Sequence, residues 1–256
     1  MSIATTEPQP GPRARVAVIT GGARRIGRTV AEQLHALGFD IALHYRSAHT
    51  QAQELQQQLN AQRAGSCAIF AADFARLESV AAFCQAVLAA YGRIDLLVNN
   101  ASGFEATPIA VASPEQFDSM LASNLRGPYF LIQGMLPGLA SGSSVVNILD
   151  THVHRPLRDF NAYCAAKAGM ESLTRSLAVE LGPDVRVNGV APGAILWPED
   201  DHAYDEAARD RTIAATPLQR MGSPEDIART VAFLACDAPF ISGQVIAVDG
   251  GRSLTF

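Results

Sequence analysis

The sequence predicts an α/β fold built on a parallel sheet. Seven short runs are apolar at nearly every position, as strands covered on both faces are. Longer stretches with helical periodicity separate them, and strand alternating with helix means parallel strands joined by right-handed crossovers. The 256 residues fit one domain, and 48% hydrophobic against 18% charged residues supply a large core and exclude a disordered chain.

Taken in order, the first strand covers 16–20. In the helix that follows, Ile26, Val30, Leu34 and Leu37 share one face, and Gly38 stands where a C-cap belongs. The second strand is 40–44, followed by a Gln-rich helix over 50–64 with Leu55 and Leu59 inward. Strand 67–71 leads to a helix over 77–90, and strand 96–98 is the fourth. Ser113-Pro114-Glu115 has the make-up of a helix start, with Ser as N-cap and Pro in the first turn, and one helix is expected over 115–136. Strand 145–148, helix 163–181 and strand 186–190 come next. Ser223-Pro224-Glu225 opens another helix, and 245–248 is the last strand. The stretch 194–220 is polar and poorly periodic, too long for an ordinary connection, and reads as a substrate lid. Residues 1–12, with Pro8, Pro10, Gly11 and Pro12, read as a flexible tail rather than a signal peptide, which leaves 13–256 as a single domain.

Composition narrows the partners. Charge is −5, from 20 basic and 25 acidic residues, so no nucleic-acid partner is expected. No apolar run approaches the ~18 residues needed to span a bilayer, so no membrane partner is expected either. Cys67, Cys84, Cys164 and Cys236 lie far apart without a C-x-x-C pair, which gives metal ligation no local support and fits a reduced, cytoplasmic chain.

The first candidate site is Thr20-Gly21-Gly22-Ala23-Arg24-Arg25-Ile26-Gly27, between a strand and a helix. Small residues there let the backbone approach a pyrophosphate, and the helix N-terminus supplies amide donors. The end of the second strand chooses the dinucleotide. An acidic residue would hold an NAD ribose, but the chain has His44-Tyr45-Arg46-Ser47. Arg46 can fork onto a 2′-phosphate and Ser47 can donate to it, so NADPH/NADP is the expected cofactor.

Further along stand Asn99-Asn100-Ala101-Ser102, Asn124, Tyr163-Cys164-Ala165-Ala166-Lys167, Pro192-Gly193 and Asp249-Gly250-Gly251. With the Gly turn, in this order, they resemble the short-chain dehydrogenase/reductase family over nearly the whole chain. The resemblance implies a single Rossmann-type doubly wound domain with a seven-stranded parallel sheet, in a homotetramer. It implies that Tyr163 is the proton donor, that Lys167 binds the nicotinamide ribose and lowers the phenol pKa, and that Asn124 holds a water in the proton relay. It places Gly21, Arg25, Ile26 and Gly27 on the cofactor, Asp73 and Phe74 near the adenine, Asn100 and Ala101 near the adenosine ribose, and Pro192 and Gly193 near the nicotinamide amide. The bare chemistry agrees: Tyr163 and Lys167, four apart on a helix, share a face, and an ammonium favours a phenolate.

The chain departs from the common pattern at Asp150, where most of the family has Ser. A Ser hydroxyl donates to a ketone oxygen; an ionised carboxylate cannot donate and repels that oxygen. Asp150 suits a substrate with N–H donors near the reacting centre. Pteridine reductases and dihydromonapterin reductases are the subgroup similar at these points, with an Asp in this place, a basic pair like Arg24-Arg25, and a stretch like Asn99–Phe104. That likeness implies that Arg25 touches both cofactor phosphate and substrate, that Ser102 bonds cofactor and pterin, and that Phe104 stacks on the pterin opposite the nicotinamide. Asp150 and Tyr163 complete the expected substrate contacts. The implied activity is NADPH-dependent reduction of a pterin C=N bond, of a dihydropterin and, among further substrates, dihydrofolate or an oxidised pterin. One rival is a carbonyl reductase of the same family acting on 3-oxoacyl, sugar or steroid ketones; another is a non-catalytic NADPH-binding sensor. His152 and His154 follow Asp150, and loop polarity is the favoured reading of both. Trp197 either covers the substrate or anchors the lid.

Overall fold

The structure, a computed structural model, describes residues 14–197 and 206–255. The tail 1–12 and the middle of the lid, 198–205, lie outside the described residues. Strand β1 (Val16–Ile19) leads to helix α1 (Arg25–Ala36), β2 (Asp40–Tyr45) to α2 (His49–Gln62), and β3 (Cys67–Ala71) to α3 (Leu77–Tyr91). After β4 (Ile94–Asn99) come α4 (Pro114–Leu121) and α5 (Gly127–Met135), then β5 (Leu139–Ile148) and α6 (Asn161–Glu180). The chain closes with β6 (Val185–Pro192), α7 (Glu206–Ala214), α8 (Pro224–Cys236) and β7 (Val245–Val248).

All seven strands are parallel, in the order β3-β2-β1-β4-β5-β6-β7. The winding reverses between β1 and β4, so the loops leaving these two strands diverge and open a crevice at the carboxyl edge, where such sheets bind ligands. Alternate residues of each strand feed two cores. Ala17, Ile19, Ile41 and Leu43 pack with Val30, Leu34, Ile227 and Val231 of α1 and α8. Val18, Leu97, Val145 and Val187 pack with Phe83, Leu131, Met135 and Met170 of α3, α5 and α6 on the other face. A buried polar chain crosses the second core. Asn99 Nδ2 donates to Asn147 Oδ1 at 2.8 Å, Asn147 Nδ2 to Thr174 Oγ1 at 2.9 Å, and Thr174 Oγ1 to the Met170 carbonyl at 2.8 Å. Hydrogen bonds between side chains in a dry core favour one arrangement, and here they pin α6 against β4 and β5, although Asn99 Oδ1 has no hydrogen-bond partner.

The single helix expected over 115–136 is interrupted. Ser113 caps α4 through Oγ, which accepts from Gln116 N, and Ala122–Arg126 then form a wider π turn before α5. Asn124 Nδ2 donates to the Met120 carbonyl at 3.0 Å and competes for the acceptor of the helical ladder. The lid also differs from the structureless loop expected, because 206–214 is the helix α7. Glu206-Ala207-Ala208-Arg209-Asp210-Arg211 carries no apolar stripe, so periodicity could not announce it. Among the described residues no helix is long and apolar enough to cross a membrane, and no group of three His, Cys, Asp or Glu could hold a metal ion.

Candidate active site

Two cavities share the crevice. The larger, about 550 Å³, lies over the ends of β5 and β6 and includes Phe104, Asp150, His152, Tyr163, Lys167 and Trp197 among its walls. That volume is in the range of small-molecule sites. Asp150, one of its walls, is the N-cap of a 3-10 turn, Thr151–Val153, directly after β5. Its Oδ2 accepts from the Tyr163 hydroxyl at 2.6 Å, and its Oδ1 accepts from the His152 amide at 2.9 Å and ring Nδ1 at 2.7 Å. Burial alone would raise the Asp150 pKa. The His152 bond and charge, with the Tyr163 hydroxyl, outweigh it and hold the carboxyl below its ordinary value. Asp150 is therefore ionised at neutral pH.

Tyr163, on α6, is 5% exposed. Burial first, then the Asp150 carboxylate as charge and acceptor, push its pKa well above the ordinary 10. This reverses the expectation that Lys167 lowers it. The nearest charge to the phenol is negative, whereas Lys167 Nζ sits 5.7 Å from the ring centre and donates to the Ile148 carbonyl at 2.9 Å. Burial pulls Lys167 itself down to about 8, against the attraction of Asp150. Phe104 stacks on Phe160, with centroids 4.3 Å apart, and stands edge-on to Tyr163 at 4.9 Å. Phe104 is 49% exposed, so an aromatic surface remains open beside the phenol. Ser102 Oγ donates to Asn124 Oδ1 at 2.6 Å, and Asn124 Nδ2 donates to the Gly103 carbonyl at 3.0 Å, so the π turn holds the loop after β4.

The smaller cavity runs over the ends of β1, β2 and β3 and is lined by Arg24, His44, Tyr45, Arg46, Ser47, Asp73, Phe74 and Ala101. Its floor is the Gly turn, and Gly21 takes φ +60°. Asn100 Nδ2 bonds the Thr20 and Gly21 carbonyls, and a Cβ on Gly27 would run into the Gly21 carbonyl and stand 2.6 Å from that same amide. Only glycine fits there.

Residues 21–253 match the family described as Enoyl-(Acyl carrier protein) reductase. The chain is 35% identical to Pteridine reductase 1 of Leishmania tarentolae, covering 95% of this chain and 98% of that protein. It is 36% identical to a 3-oxoacyl-[acyl-carrier-protein] reductase of Staphylococcus aureus, over 92% of this chain and 96% of the other. It is 31% identical to 3beta-hydroxysteroid dehydrogenase 1 of Eggerthella lenta, over 94% and 95%. The chain belongs to the short-chain dehydrogenase/reductase family.

Members of this family are oxidoreductases using nicotinamide dinucleotides, and the crevice suits such a group. The N-terminus of α1 has no side-chain cap and no acidic residue in its first turn, so its amides and dipole are available to a pyrophosphate. Gly21, His44, Tyr45, Arg46, Ser47, Asp73, Phe74 and Ala101 line the end over β1, β2 and β3. Arg25, Ile26, Asn100, Tyr163, Lys167, Pro192 and Gly193 line the other end, and Ser102 borders both. Three of the residues expected on the cofactor also hold the turn. Asn100 is committed to the Gly-turn carbonyls, Gly27 abuts them, and His44 is buried beneath them. His44 Nδ1 accepts from the Gly21 amide at 2.9 Å, its Nε2 donates to the Ala72 carbonyl at 3.0 Å, and its ring stacks on Phe74. Arg25, with φ +54°, turns its guanidinium to the Leu196 and Trp197 carbonyls at 3.2–3.3 Å, tying the Gly turn to the lid. Arg209 of α7 lies over the Trp197 ring at 5.5 Å, so Trp197 packs on α7 as well as forming a wall of the cavity.

His44 makes the turn acid-sensitive. Desolvation lowers its pKa from 6.5 to about 4, against the opposing bond to Ala72. Between these values the unfolded chain binds the proton and the folded one does not. The contribution is therefore complete above 6.5 and is lost as pH falls through 4, a change of about 3 kcal/mol. Urea unfolding at about pH 7 and about pH 4.5 should show a smaller acid loss in His44→Gln than in the wild type; equal losses would refute the assignment.

Loop polarity does not describe His152 and His154. His152 grips Asp150, and His154 Nε2 lies 3.1 Å from Glu171 Oε2 on α6. Phe160, on which Phe104 stacks, has no signal in the sequence. The signal for His152 was its place two residues after an Asp at a turn start, where an Asx-type bond forms.

Proposed function

We propose that this chain reduces a C=N bond of a pterin with NADPH. The observation that carries the reading is the ionised Asp150, hydrogen-bonded at 2.6 Å to Tyr163 beside an open aromatic face. Such a carboxylate opposes a ketone oxygen and accepts from the amine and ring N–H groups of a pterin. The likeness to Pteridine reductase 1 points the same way. NADPH, bound with its nicotinamide toward Pro192 and Gly193, would supply the hydride. Arg25, Ser102 and Phe104 orient the ring, with Asp150 on its N–H edge. Asn124 holds Ser102 in place and a water in the relay. Tyr163 keeps its proton on Oη until negative charge builds on the ring nitrogen, then delivers it there. Lys167 lies against the ribose, and the lid over 194–220 excludes water. The reading extends to a single-domain, cytoplasmic homotetramer, for which exposed Val179, Phe233 and Phe240 offer apolar surface.

NADPH oxidation with dihydrobiopterin, dihydromonapterin and dihydrofolate, beside a 3-oxoacyl thioester and a ketosteroid, tests the proposal. Fast turnover of a ketone with none of any pterin would favour the carbonyl reductases among the relatives. Tight NADPH binding without any turnover would favour a sensor. The dinucleotide preference has its own test. Arg46→Ala should raise the KM for NADPH about 10- to 100-fold, the worth of one charge-assisted bond, and leave that for NADH unchanged. A parallel loss with both cofactors would remove Arg46 from the 2′-phosphate.

A further inference from the structure

The two oxygens of Asp150 have separate partners. Oδ2 serves the Tyr163 hydroxyl, while Oδ1 is gripped twice by one residue, through the amide and the ring of His152. An ionised carboxylate only accepts, so His152 Nδ1 carries a proton. Two bonds from one residue stop the carboxyl group rotating away from the phenol. The His152 side chain is 32% exposed and Tyr163 is 5% exposed, so solvent protons reach this trio at the imidazole.

We propose that His152 is a positioning residue for proton delivery: it fixes Asp150 against Tyr163 and, as the imidazolium, offsets the negative charge that arises when the phenol gives up its proton. This rests on the reading of Tyr163 as proton donor. With a neutral imidazole the trio carries one negative charge before transfer and two after it. With the imidazolium it carries none before and one after. A second negative charge beside the first in a buried site is strongly opposed. The phenolate then recovers its proton from solvent. The other charged and titratable groups facing this cavity among the described residues are Arg25 from α1, Lys167 from α6, Arg155 after the turn, and Arg252 near the C-terminus. Arginines keep their charge throughout the working range, and Lys167 titrates near 8. Arg155 is turned to the Arg252 carbonyl at 2.8 Å, and His154 is engaged with Glu171. His152 is thus the imidazole among the groups that line this cavity.

The first test needs no substrate. In the full chain labelled with ¹³C-tyrosine, the Tyr163 ring carbon, assigned with Tyr163→Phe, should inflect across the imidazole range and lose that inflection in His152→Asn. Asn can still donate to Asp150 but takes up no proton. The second test is turnover of the dihydropterin. His152→Asn should lower kcat about 10-fold, the scale of one pKa unit, keep KM within about 2-fold, and remove the fall in rate as pH rises through the imidazole range. His152→Ala, without the donor, should lose more kcat. A Tyr163 signal without inflection, or with the same inflection in His152→Asn, overturns the proposal even in an active enzyme. If the wild type turns over no pterin, the functional reading fails and the tyrosine titration alone decides the role of His152.

Discussion

Tyr163→Phe should lower pterin turnover by about 100- to 10,000-fold, the usual contribution of a positioned general acid, with NADPH affinity nearly unchanged. The hydroxyl that this removes is the buried O–H on Asp150 Oδ2. Its pKa stands well above 10 because burial and the carboxylate both oppose phenolate. Tyr163 is therefore fully protonated across the neutral range, ready to donate but a reluctant acid until charge appears on the substrate. Phe keeps the edge contact to Phe104 and leaves the Gly turn untouched, so quenching of protein fluorescence by NADPH should report the same affinity. Steady-state kcat and a dinucleotide titration separate the two effects. A loss under about 10-fold would mean that the proton comes from water, and the role assigned to Tyr163 would fall.

Much of this arrangement could be read from local chemistry. The strands were legible because burial on both faces demands apolar residues at nearly every position. The Gly turn was legible because Gly21 needs φ +60° and no Cβ fits at Gly27. Helical spacing puts Tyr163 and Lys167 on one face, but their roles, and the oddness of a carboxyl at 150, came from the family resemblance. What escaped depended on contacts between distant segments. That His44 lies beneath the Gly turn depends on β2 lying beside β1. The π turn depends on Asn124 reaching the Met120 carbonyl, and Arg25 finds the lid carbonyls of 196 and 197 across the crevice. The direction of the Tyr163 shift was missed for the same reason: spacing puts Lys167 on the right face but cannot say that its ammonium turns to Ile148 while a carboxylate stands closer. Helix α7 was hidden for want of an apolar stripe.

Asp150→Ser should reverse the substrate preference. The carboxylate has two duties in the proposed reaction, holding the Tyr163 hydroxyl and accepting from a substrate N–H. Each charge-assisted bond is worth about 1.5–3 kcal/mol, so kcat/KM for the dihydropterin should fall about 100- to 10,000-fold. The same change removes two of the causes that lift the Tyr163 pKa, its charge and its acceptor, and the phenol becomes a stronger acid. It also brings in a hydroxyl that can donate to a carbonyl oxygen where a negative group had repelled it. Reduction of a small ketone should therefore appear or rise in the variant while the pterin rate falls. Asp150→Asn separates charge from shape: it keeps the volume, loses the ionised acceptor, and should lose pterin turnover without gaining ketone turnover to the same degree. Rates for one dihydropterin and one ketone, measured on all three proteins at a single pH, give the comparison. Pterin reduction that survives Asp150→Ser unchanged would show that the carboxylate neither touches the substrate nor steers the phenol, and the choice between imine and carbonyl chemistry would then have to lie in the other walls of the cavity, with Phe104 and Trp197.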